Sequence, residues 1–206
     1  MSILLHEERD ACGLSLIVSA DTDPINPRRD FDPLGTMICW HLRYDLGDPH
    51  SFRSPGEFDR EMETRPHIKL PVYLYDHSGL TVSTTPFSCP WDSGQIGWIF
   101  IEKIKLRAEF SKSTRRSNLQ AEAEVLLRAE VTEYDQYLTG DVWCARIENR
   151  MGEILDSCGG FYGSGYAITE GREMLANCVA RFRQEQAEAF VKQIESERPD
   201  LTPPGL

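Results

Sequence analysis

The sequence predicts an α+β fold, a mainly antiparallel sheet built from hairpins with two long amphipathic helices packed on it. Three observations lead there. Short period-two segments bounded by turn residues fill the first hundred positions and return after residue 140, with no strand–helix–strand alternation of the kind that builds parallel sheets. Two late segments, 117–138 and 169–195, carry apolar stripes of helical period. The chain of 206 residues, 40% of them hydrophobic, is long enough to bury about two-thirds of its extended surface. Residues 1–197 are therefore expected to form one domain needing no disulfide or metal, followed by a Pro-rich tail over 198–206.

Taken in order, "GLSLIVS" (13–19) is a short apolar run compatible with a strand, and the Pro- and Asp-rich 20–35 is a long loop. "TMICWHLRY" (36–44) alternates, with Ile38, Trp40, Leu42 and Tyr44 on one face, which predicts a strand to Tyr44. Ser54 as N-cap, Pro55 in the first turn and Glu57 closing a capping box predict a short helix. Val72 and Leu74 alternate with Tyr73 and Tyr75 before "DHSG" turns the chain into Leu80 and Val82, a hairpin. "IGWIFIEKIKL" (96–106) reads as a long strand, and "CPWDSGQIGW" (89–98) delivers the chain into it. Ala123, Leu127, Val131, Tyr134 and Leu138 form one helical stripe that Gly140 ends. A second hairpin spans "DVWCARIENRMGEILDSCGGFYG". The last helix is expected to turn Leu175, Val179, Phe182, Phe190 and Ile194 inward.

The charge narrows the function classes. With 33 acidic against 22 basic side chains the formal charge is -11, so a nucleic-acid backbone is repelled and no direct nucleic-acid partner is expected. An acidic surface imitating a phosphate array remains a reading that charge alone permits. The six cysteines show no C-x-x-C pair, which argues against a zinc knuckle or a redox motif. No apolar run approaches twenty residues and the N-terminus is acidic where a signal peptide is basic, so no membrane partner and a cytoplasmic location are expected. No cofactor is expected, and the oligomeric state is open.

Three stretches carry candidate chemistry. In "CPWDSGQIGW", Trp91 and Trp98 supply apolar area while Asp92, Ser93 and Gln95 suit a turn, so a rigid corner is the leading reading. A catalytic alternative takes Cys89 as nucleophile, His77 as base and Asp92 or Asp76 as orienter. Asp21, Asp23, Asp30 and Asp32, flanked by His41, Asp45 and Asp48, are candidate ligands for a hard cation, although the spacing matches no calcium loop. The glycines of "DSCGGFYGSGYAI" lack the Gly-Lys-Ser/Thr of a phosphate loop, which leaves a link whose Phe161, Tyr162 and Tyr166 dock into the core. Tyr73, Tyr75, Trp91 and Asp92 form the candidate binding surface, because aromatics are enriched in interface cores.

The blocks "DTDPINPRRDFDPLGTMICWHLRYDLGD", "LPVYLYDHSGLTVSTTPFSCPWDSGQIGWIFI" and "YDQYLTGDVWCARIEN...DSCGGFYG" cover over half the chain. They resemble a family of uncharacterised accessory proteins of tailed bacteriophages and prophages. That resemblance implies no catalytic residue and no cofactor. What it implies is a context: a protein of the host cytoplasm that binds a host protein, with inhibition of a defence enzyme as one candidate role. The alternatives are a metal-dependent or cysteine-based hydrolase of a nucleotide-like substrate, and a minor structural phage protein.

Overall fold

The computed structural model describes residues 3–110 and 119–197. The expected tail at 198–206 and the first residues of the stripe beginning near Ser117 lie outside the described residues. The fold is α+β. Its strands form two four-stranded antiparallel sheets, each packed against its own long helix, and the chain divides into two compact units, Met1–Thr22 with Val142–Leu206 and Asp23–Asp141.

In the first unit the sheet order is β1 (Leu4–Arg9), β2 (Ser15–Ala20), β7 (Val142–Glu148), β8 (Ile154–Tyr162). The strand β1 is not legible in the sequence because "LLHEER" has no clean alternation; it forms by pairing with β2. The helix α4 (Ser164–Glu197) starts two residues after β8 and returns across β2, β7 and β8. Ala167, Gly171, Leu175, Cys178 and Val179 are its buried stripe, at spacings of three and four residues. A Cβ on Gly171 would stand 2.8 Å from Leu16 Cδ1, so glycine lets the helix lie close to β2.

The second unit runs in the order β3 (Thr36–Cys39), β6 (Ser93–Glu102), β4 (His67–Asp76), β5 (Leu80–Ser83). Leu70, Val72 and Leu74 of β4 with Ile99 and Ile101 of β6 meet Ala123, Leu127, Val131 and Tyr134 of α3 (Leu119–Thr139). The opposite face packs Phe58 and Met62 of α1 (Pro55–Met62) against Ile38 and Phe100, with Trp40, Phe52 and Trp98 around them. One extra residue in β6, between the pairs Val72–Gly97 and Tyr73–Gln95, is Ile96; this bulge moves Ile96 to the α3 side although Trp98 belongs to the other. Ser54 caps α1 by accepting Glu57 N at 3.3 Å, and Glu57 Oε2 reaches back to Arg53 N at 2.7 Å.

Three boundaries or faces differ from the sequence expectation. β3 stops at Cys39, because the returning Gly47 bridges Ile38 and Asp48 N bonds Met37 O, while residues 41–46 leave the sheet; Leu42, expected beside Ile38, is fully exposed. β6 ends at Glu102 and "KIKL" opens the helix α2 (Lys103–Phe110), where Leu106 is buried. Phe190 and Ile194, expected inward, are 63% and 45% exposed, because α4 outruns the sheet it packs on.

One half-buried carboxylate carries a pH prediction. Asp135 on α3 accepts Val82 N at 2.8 Å, which ties the helix to β5. Burial pushes its carboxyl above the ordinary 3.8; the Val82 N–H opposes the shift and the charge of Asp141 adds to it. The native state therefore keeps this proton to higher pH than the unfolded chain does. Its contribution to stability is intact below pH 3.8 and falls as pH rises through the native value. Asp135→Asn keeps an acceptor for Val82 and is expected to raise the urea midpoint at neutral pH. That advantage should vanish in acid; an equal gain at both pH values would contradict the burial argument.

Candidate functional site

The corner at residues 89–92 is held where β4 ends and β6 begins. Tyr75 pairs with Ser93 in the ladder, Asp76 N donates to Asp92 O at 2.8 Å, and Ser93 Oγ donates to Cys89 O. His77 and Gly79 close the hairpin turn, with Ser78 at a φ of 60°. The chain turns here through these hydrogen bonds, and its two tryptophans do different things. Trp98 is packed, with Trp40 at 5.9 Å, Phe58 at 5.7 Å and Lys69 Nζ 5.1 Å over its ring. Trp91 adds no packed area to the corner: it precedes the strand and is 90% exposed.

Cys89, His77 and Asp92 do come together. Asp92 Oδ2 lies 3.1 Å from His77 Nδ1 and accepts the Cys89 thiol at 3.8 Å. The carboxylate stands in the middle, whereas activation of a nucleophile needs the imidazole against the thiol with the carboxylate behind it. This order makes the trio a hydrogen-bonded brace, with the imidazole 63% exposed at its edge. The Cys39 thiol, which lines the concavity next to Trp40, is no better a nucleophile, since burial pushes it up to about 12.

The brace is one part of a larger surface on the second unit. Arg43 pairs with Asp76, whose Oδ1 also takes Tyr44 OH at 3.5 Å, and His41 stacks on Tyr44 at 5.0 Å and 7°. Tyr75 stacks on His77 at 5.8 Å and on Phe87 at 5.6 Å. Tyr73, two residues back on β4, is half-buried on the same face. Next in sequence to Arg43 and Asp92 stand Leu42 and Trp91, the most exposed large apolar side chains of the described residues. Leu42, Arg43 and Tyr44 do not stand out as site residues in the sequence, because the alternation of 36–44 reads as a continuous strand; no local signal shows where the chain leaves the sheet.

The aspartate loop is used differently. Asp21 belongs to the first unit, where its carboxylate accepts Gly160 N at 3.2 Å, and Asp23, Asp30 and Asp32 belong to the second. Of the flanking acids, Asp45 pairs with Arg29 at 2.8 Å and Asp48 holds Arg28. Among the described residues no group of three or more His, Cys, Asp and Glu side chains is placed to hold a metal ion. In the glycine-rich segment Phe161 is buried, but Tyr166, expected in the core, is 56% exposed, because its position on α4 faces away from the sheet. No helix among the described residues is long and apolar enough to cross a membrane. No protein-family model matches the chain, and no curated protein or solved structure resembles it closely enough to count as a match.

Proposed function

We propose that the chain acts by protein–protein binding through the surface around Trp91, Leu42, Arg43, Tyr44 and the His77–Asp92 pair. The observation that carries this reading is the exposure of Trp91 and Leu42 at 90% and 104% beside a network already held by hydrogen bonds and ion pairs. Tryptophan, tyrosine and arginine dominate binding hot spots, and side chains held before binding lose less entropy on association. The resemblance to phage accessory proteins supports a host protein as partner, a defence enzyme first among them, encountered in the cytoplasm. Phosphate mimicry is less well supported, since many acids are neutralised locally: Glu8 by Arg172, Asp59 by Lys69, Glu61 by Arg65 and Glu148 by Arg146.

The test is affinity capture from bacterial lysate, then a titration of the captured protein against wild type, Trp91→Ala and Leu42→Ala. Each variant is first checked for an unchanged fold. Trp91→Ala is expected to weaken binding by about 2 kcal/mol or more, roughly thirtyfold in Kd. A partner bound equally by all three chains, or none at all, rejects the reading. Hydrolysis of a nucleotide lost in Cys89→Ala would favour the hydrolase instead.

A further inference from the structure

The last helix changes its apolar face halfway along. Up to Phe182 the buried and half-buried apolar residues lie on the face against the sheet, and from 183 to 197 every residue is exposed. The geometry explains the overhang. At 34 residues α4 is about 51 Å long, whereas the nine residues of β8, along which it returns, span about 30 Å. The projecting fifteen residues would be expected to be polar all round. Instead Ala187, Phe190, Val191 and Ile194 fall at i, i+3, i+4 and i+7, a stripe rotated roughly 140° from the docked one at 100° per residue. Phe190, Val191 and Ile194 are 63%, 53% and 45% exposed.

We propose that a second copy of this chain covers that stripe, the two overhangs crossing antiparallel between Phe190 and Val191. Charge permits it: residues 181–197 carry Arg181, Arg183 and Lys192 against Glu185, Glu188, Glu195 and Glu197, close to balance in a chain of net charge -11. The stripe is also self-complementary about that point. A two-fold axis there sets the small Ala187 against Ile194 of the partner subunit and Phe190 against Val191 of the partner subunit, each twice. Arg183 and Glu197 share one flank of the stripe, so antiparallel pairing brings Arg183 beside Glu197 of the partner subunit. Parallel pairing would set Arg183 against its own copy. Within its own chain Arg183 is drawn to the Cys12 side chain first and, more weakly, to the charge of Asp10. Glu188 and Glu195 sit roughly 100° from the stripe and stay in water.

The test is light scattering on the full chain across a concentration series reaching about 100 µM, where a dimer of micromolar Kd is nearly complete. Wild type should approach twice 23.5 kDa, and Phe190→Glu with Ile194→Glu should stay at 23.5 kDa with unchanged thermal unfolding of the first unit. Arg183→Glu alone should raise the dimer dissociation constant at least fivefold, and adding Glu197→Arg should restore it. A wild type monomeric throughout the series, or a dimer indifferent to Phe190→Glu and Ile194→Glu, overturns the proposal. A charge swap that fails to rescue overturns the antiparallel arrangement. Trp91 and Leu42 lie in the other unit, so their substitution should leave the mass unchanged, which keeps this result separate from that of the binding surface.

Discussion

Arg28→Ala is expected to cost the second unit about 3–5 kcal/mol, because it would strand two largely buried carboxylates without their cation. The Arg28 side chain is 1% exposed and those of its partners Asp48 and Glu130 are 17% and 11% exposed. Its guanidinium uses the planar fork on both oxygens of Asp48, donates to Glu130 Oε2 at 3.0 Å and to Gly35 O at 2.8 Å. The carboxylates are committed in turn: Asp48 takes Met37 N at 2.8 Å and Glu130 takes Gly35 N at 2.9 Å. One side chain thus ties the 23–35 loop to β3 and α3. Arg28→Lys, a single point charge, should recover only part of the loss. Arg28→Met with Asp48→Asn and Glu130→Gln, which removes all three charges, should be milder than Arg28→Ala. The measurement is the urea midpoint at constant m-value; a midpoint unmoved by Arg28→Ala would show the triad to be dispensable.

Phe58→Ala is the second large effect, again about 3–5 kcal/mol, from transfer and cavity terms together. The ring is fully buried and meets Phe100 at 5.2 Å, Phe52 at 5.4 Å, Trp98 at 5.7 Å and Trp40 at 6.3 Å, so little can collapse into the hole. Lys69 Nζ lies 5.5 Å over the same ring while bonding Asp59 at 2.7 Å, and the alanine variant forfeits that cation–π attraction as well. Trp91→Ala is the counterpart. Removing a larger ring that is 90% exposed should change stability by less than about 0.5 kcal/mol. The pair separates stability from binding: the buried phenylalanine controls the midpoint, and the exposed tryptophan controls only association. A Trp91→Ala variant destabilised as strongly as Phe58→Ala would mean that Trp91 is packed, and the surface proposed for binding would lose its anchor.

Local signals specify which segments become helices and strands wherever those signals agree. Ser54, Pro55 and Glu57 set the start of α1 through backbone capping alone, "DHSG" sets the hairpin, and Ala123 to Tyr134 set the buried stripe of α3 through helical period. The α+β class follows from those elements. Partner choice is nonlocal, and it emerges only when the chain packs. β2 pairs with β7 across more than a hundred residues, so no window of sequence shows that β1, β2, β7 and β8 share one sheet and the intervening strands another. The same holds for exposure. The helix α4 runs on past Ile194, but the sheet beneath it ends, so nothing within the chain's own fold buries Phe190. At the corner, the residue types announced a turn with reactive side chains, whereas the order thiol, carboxylate, imidazole was set by how β4 and β6 meet. Arg28 is the clearest case: within "NPRRD" it is one of two adjacent arginines, and only folding chose which would be buried between Asp48 and Glu130 and which would be left at the surface with Asp45.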